Sequence, residues 1–123
     1  MKEEIELYLR RAEKFEANAQ FNFDRKDYDL AMFHIEQAMQ LLIKARLLNE
    51  KGYFERTHGL RRLLSEFQDK EGVREFVEKY KKVLRNLERA YVSSRYYFEE
   101  FFEDEVVEAF KALEELRSLL WKD

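Results

Sequence analysis

The stretch from about Asp27 to about Asn49 reads as a helix too apolar to stand alone in water. Projected at about 100° per residue, Ala31, Ile35, Ala38, Leu42 and Ala45 fall on one face. Leu30, Leu41 and Leu48 widen that face on one side, and Met39 and Ile43 widen it on the other. The polar arc left over is narrow and holds Asp29, Glu36, Gln40 and Lys44. An apolar surface of this width has to be covered by several neighbours, so the segment is the expected hub of the fold. Ala31, Ala38 and Ala45 recur every seven positions, which lets neighbouring helices approach closely. Asp24 or Asp27 is the expected N-cap, and Gly52 stands where a left-handed residue would end the helix.

The rest of the chain offers the coverings. A helix over about Lys2 to Asn22 buries Ile5, Tyr8, Ala12, Phe15 and Ala19, with Glu3, Glu4 and Glu6 favouring the dipole in its first turn. Thr57 reads as the N-cap of a short helix carrying Leu60, Leu63, Leu64 and Phe67, and Gln68 to Gly72 breaks the pattern. A further helix spans about Val73 to Tyr91, and Val92-Ser93-Ser94 interrupts it. Asp104 is the expected cap of a last helix burying Val107, Phe110, Leu113, Leu116 and Leu120. The 123 residues include no proline and only three glycines, too few turn formers for hairpins of strands. The expectation is one all-α domain over residues 1–123, an antiparallel up-and-down bundle of four to five helices.

Charge and cysteine usage exclude several functions. The net charge is −3 and the two signs are interspersed, whereas a broad nucleic-acid-gripping face would be more basic. Without cysteine there are no disulfides and no thiolate metal sites. Two histidines at different helical levels make a poor transition-metal set, so no metal or cofactor is expected. The charged start Met1-Lys2-Glu3-Glu4 runs straight into a helical pattern, unlike a signal peptide. Apolar runs of a few residues fall far short of the roughly 20 that span a bilayer, so no membrane association is expected and the expected location is the cytoplasm.

Taken in order, Phe33, Gln37-Ala38 and Lys44-Ala45 resemble the central helix of HEPN domains. Thr57-His58-Gly59-Leu60 with Leu63-Leu64 is similar to that family's Thr-His loop and leucine-rich short helix. Ser94-Arg95-Tyr96 echoes a late Ala/Ser-Arg-Tyr signature, and Tyr8-Leu9 with Ala12 looks like its start. The resemblance covers nearly the whole chain. It implies a helical bundle that forms a homodimer, a minimal nucleotidyltransferase as partner, and a nucleotide as ligand. The alternative it implies is a divergent ribonuclease of a toxin–antitoxin or defence system.

That ribonuclease branch uses an Arg, four to six residues, then a His. Before His34 the corresponding positions hold Asp27, Tyr28 and Asp29, and before His58 they hold Lys51, Gly52 and Tyr53. After Arg95 they hold Glu100, Phe101 and Phe102. The motif is absent, and no catalytic residue is assigned. If cleavage occurred, it would need His34 or His58 brought to Arg95 in space. For nucleotide binding the candidates are His34, Gln37, Lys44 and Arg95, with Lys44 and Arg95 supplying positive charge to a phosphate. The plainer readings are a core or interface His34 bonded to Gln37, and a Lys44 that snorkels to pair with Gln40 or Glu36. His58 reads as a capping or loop contact, and Arg10-Arg11 and Arg61-Arg62 as solvated faces. The aromatic run Tyr96, Tyr97, Phe98, Phe101 and Phe102 is too dense for one helix turn to bury. It reads as a hydrophobic cap over the bundle end, as a dimer or partner interface, or as a base-stacking surface.

Overall fold

A computed structural model gives the architecture. It describes residues 2–67, 70–96 and 99–121, with the side chains of 94–96 left out. Among the described residues there are six helices and no strand. They are α1 (Lys2–Asp24), α2 (Tyr28–Lys51), α3 (Leu60–Leu64), α4 (Val73–Lys79), α5 (Lys81–Tyr96) and α6 (Glu103–Trp121). The all-α expectation holds, with one more helix than anticipated.

The expected hub is the hub. Helix α2 packs against α1, α3, α5 and α6, and its pairing with α1 is the most extensive in the chain. Ala31, Ala38 and Ala45 are all fully buried, as are Ala12 and Ala19 of α1, so backbones approach where side chains are smallest. The α1–α2 turn is tied by the Asn22 carbonyl, which accepts from Asp27 N–H at 2.8 Å and from Arg25 N–H at 3.1 Å. Gly52 ends α2 at φ 83°, its N–H donating to the Leu48 carbonyl at 3.0 Å, as its position in the sequence suggested.

Four local expectations change. Thr57 does not cap α3 directly; its Oγ1 accepts from Gly59 N–H at 3.3 Å, and Gly59 is the cap position. The expected single helix over 73–91 is divided at Tyr80, whose buried side chain donates through its hydroxyl to Glu115 of α6. No breaker marks this position in the sequence. At 92–94 the helix runs on, and Ser93 Oγ donates to the Ala90 carbonyl at 3.4 Å, so the hydroxyl finds a partner within the helix. In α6 the buried stripe is Val106, Ala109, Leu113, Leu116 and Leu120, while Val107 faces outward. That helix begins one residue before Asp104, and Glu105 Oε1 accepts from Phe102 N–H at 2.8 Å.

The left-handed cap gives a direct check on how α2 ends. Gly52→Ala is expected to lower stability by about 1–2 kcal/mol, because a Cβ at positive φ meets the following carbonyl. Urea denaturation would read this, and an unchanged midpoint would contradict it.

Candidate functional site

In the narrow polar arc of α2, Asp29 is exposed and Lys44 half-buried, but the two residues between them are buried. Glu36 is fully buried and Gln40 nearly so, because α3, α5 and the connection after α2 close over that side. The Glu36 carboxyl is bonded to two neutral amides. Gln37 Nε2 donates to Oε1 at 2.8 Å, and Gln40 Nε2 donates to Oε2. Gln40 Nε2 also approaches the His58 carbonyl at 3.4 Å, tying the helix to the connection that follows. Burial is the largest influence on this acid and pushes it up from 4.5 to about 7, against the opposing pull of the two amides and Lys44.

The two glutamines that hold this carboxyl also border an open cleft of about 300 Å³. Its walls include Gln37, Gln40 and Lys44 of α2, Arg11 of α1, His58 of the connection and Tyr91 of α5. Burial holds the Lys44 ammonium below the usual lysine range, with the Glu36 charge opposing that shift. Its Nζ stands 5.2 Å from the centre of the Phe54 ring, a cation–π distance, so the snorkelling lysine meets a ring. A relay of five rings runs round the site. His58 stacks on Tyr91 at 4.9 Å and Tyr91 on Phe33 at 6.4 Å. Phe33 then meets His34 at 5.4 Å, and His34 stacks on Phe15 at 5.9 Å. Phe15, Tyr91 and His58 line the cleft itself.

The residues singled out from the sequence divide accordingly. Gln37 and Lys44 share the cleft. His34 does not line it; it backs Phe15, and its partner is Asn22 rather than Gln37. Asn22 Oδ1 accepts from His34 Nδ1 at 2.6 Å, and burial holds the imidazole below its ordinary pKa. The side chains of Arg95 and Tyr96, and all of Tyr97 and Phe98, lie outside the described residues. Phe101 is a correction to the interface reading, because it is buried in the core at the entry to α6. Phe102 is exposed. Arg11, His58, Tyr91 and the carboxyl of Glu36 were not anticipated as members of one site. The cleft draws on four separate elements, and the i, i+4 spacing of Glu36 and Gln40 is the one local signal for any of it.

The buried carboxyl makes stability depend on pH in a defined sense. An acid raised from 4.5 to about 7 on folding binds its proton more tightly in the folded chain. Its contribution is therefore complete below 4.5 and is lost as pH rises through about 7. The loss amounts to about 3 kcal/mol if the whole shift is expressed. Glu36→Gln has no charge to bury, so the stability difference between wild type and variant is expected to change across this window and to be flat on either side. Denaturant curves at a series of pH values would measure it. A difference that stays constant would show that the carboxyl is not desolvated.

A family model described as HEPN domain matches residues 5–122. No significant match was found among curated proteins or among solved structures. The family match spans nearly the whole chain, agrees with the all-helical bundle, and shows that this chain belongs to the HEPN domain family.

Proposed function

We propose that this HEPN domain is a binding and interaction protein that takes a nucleotide in the α2 cleft and acts as a homodimer with a minimal nucleotidyltransferase. The observation that carries the ligand part is convergence. Two cations, Arg11 and Lys44, two amides, Gln37 and Gln40, and the rings of His58 and Tyr91 border one open space. A phosphate asks for the first, base edges for the second, and a flat base for the third. The volume lies at the lower end of the roughly 300–1,000 Å³ of small-molecule sites, which suits a mononucleotide better than anything larger. His34 acts here from behind Phe15, holding the wall and the α1–α2 turn, rather than by touching the ligand.

The homodimer and the partner rest on the family resemblance. Phe102 and Val107, both exposed at the start of α6, are the apolar residues offered for association there. The second reading is a divergent ribonuclease. It lacks the Arg–His spacing, and His34 is already engaged by Asn22.

Calorimetric titration with AMP, ADP and ATP tests the site. Lys44→Met keeps the stem and removes the charge, and is expected to weaken binding about tenfold or more, the effect of losing a charge-assisted bond. The exposed Lys111→Met, on α6, is the control and is expected to change nothing. Absence of binding by the wild type at millimolar nucleotide would refute the ligand assignment. Light scattering after size exclusion is expected to give a dimer, and a monomer at all concentrations would refute that part. RNA cleavage abolished by His34→Ala would favour the ribonuclease instead.

A further inference from the structure

Charge is divided between two neighbouring helices. Helix α5 exposes Lys81, Lys82, Arg85 and Arg89, and its one acid, Glu88, is held by Arg61 of α3 at 2.7 Å. Helix α6 exposes Glu103, Asp104, Glu108, Glu114 and Glu115 against one exposed cation, Lys111. The two helices pack together and run antiparallel: Tyr80, just before α5, meets Glu115, and further along Asn86 Nδ2 donates to Glu105 at 3.4 Å. Among the described residues no cation of α5 pairs with an acid of α6. Lys81 turns back to Glu78 and Arg89 to Glu99, while Lys82, Arg85 and Asp104 have no ion pair there. A basic stripe and an acidic stripe thus lie side by side, both turned outward from the buried Leu84, Leu87, Leu113 and Leu116.

We propose that the outer face of α5 and α6 is where a second copy of this chain docks, about a twofold axis along the two helices, so that each basic α5 lies over the partner's acidic α6. The inference rests on the homodimer reading above and deepens it, since it names the surface and the symmetry. Charge chooses the axis. A twofold along the helices carries α5 over α6 in both halves of the interface. A twofold across them would set α5 on α5 and α6 on α6, like charge on like. The bonds from Tyr80 to Glu115 and from Asn86 to Glu105 mark which parts of the two helices share a level. An axis along the helices keeps those levels, and so brings Arg85 and Arg89 of one copy close to the partner's Glu108 and the partner's Asp104.

The size of the face suits a charge-steered dimer. The 16 residues of α5 run about 24 Å, and two packed helices present a width of about 20 Å. Such a face buries on the order of 1,000 Å² over both copies, the lower end for a specific interface. Its exposed large apolar residues are Val92 of α5 with Phe102 and Val107 at the start of α6. Charge therefore fixes the register, and added salt weakens the dimer. A nucleic-acid strand fits the face less well, because the acidic half repels phosphates.

The test is a charge swap on the full chain, read by light scattering after size exclusion. One variant carries Arg85→Glu with Arg89→Glu, and the other carries Asp104→Lys with Glu108→Lys. Each alone sets like charges against each other in both halves of the interface. Each is expected to weaken the dimer at least about a hundredfold and to run as a monomer where wild type is a dimer. Mixed in equal amounts, the two are expected to regain the dimer mass, because α5 of each variant is again opposite in sign to α6 of the other. Mixing would not restore a variant that had merely lost its fold. A dimer kept by either variant alone, or a mixture that stays monomeric, would overturn the inference; the homodimer reading would stand, with its interface on another face. If wild type is monomeric at all concentrations, both this inference and the homodimer reading fall. Should a double variant lose its helicity by circular dichroism, Arg85→Glu and Glu108→Lys are mixed as single substitutions, and the same outcomes decide.

Discussion

The Glu36 carboxyl, bonded to two neutral amides inside a bundle of apolar helices, is the interaction on which the site depends. Removing a carboxylate from water is expensive unless cations or several donors replace the lost hydration. Here the replacement is partial. Two amides give one bond each, and Lys44 contributes charge without direct contact. The consequence is an acid poised near neutrality. The same bonds hold the connection after α2 in place, because Gln40 reaches the His58 carbonyl. One carboxyl thus links the hub helix, the cleft floor and the loop that forms one wall.

The cleft exists because the bundle brings together what the chain keeps apart. Helix α1 contributes Arg11 and Phe15, α5 contributes Tyr91, and the connection contributes His58. Stacked rings join these pieces around the outside, with Phe33 and His34 behind the wall. The bond between His34 and Asn22 anchors the relay to the α1–α2 turn, where Asn22 also accepts backbone N–H groups. Within the family pattern, the pairs Gln37-Ala38 and Lys44-Ala45 acquire a physical meaning. The polar member of each pair lines the cleft, and the alanine, fully buried, lets the neighbouring helices close on α2. A spacing of two turns puts both polar members on the same side.

Much of the fold was legible because apolar periodicity is a local property. The apolar face of α2, the glycine that ends it and the apolar character of α1 follow from spacing alone. What could not be read depended on neighbours. Glu36 and Gln40 look like a solvated arc until α3, α5 and the connection are laid over them. A continuous helical pattern is divided at Tyr80, whose hydroxyl donates to Glu115, far along the chain. In α6 the stripe is displaced by one residue at its start, since Val106 and Val107 are chemically equivalent and only packing chooses between them. Of the site, Gln37 and Lys44 were visible through the family pattern. Arg11 was not, since a surface arginine carries no local mark of what it will border, and His58, though part of the family pattern, reads from the sequence as a capping or loop contact.

The polar side of α2 is built around the ionisation of one buried group. Carbon-detected NMR of the Glu36 side-chain carboxyl through a pH titration measures it directly. A midpoint near 7 is expected. A midpoint near the ordinary 4.5 would mean a hydrated carboxylate, and would contradict the burial on which the cleft is built.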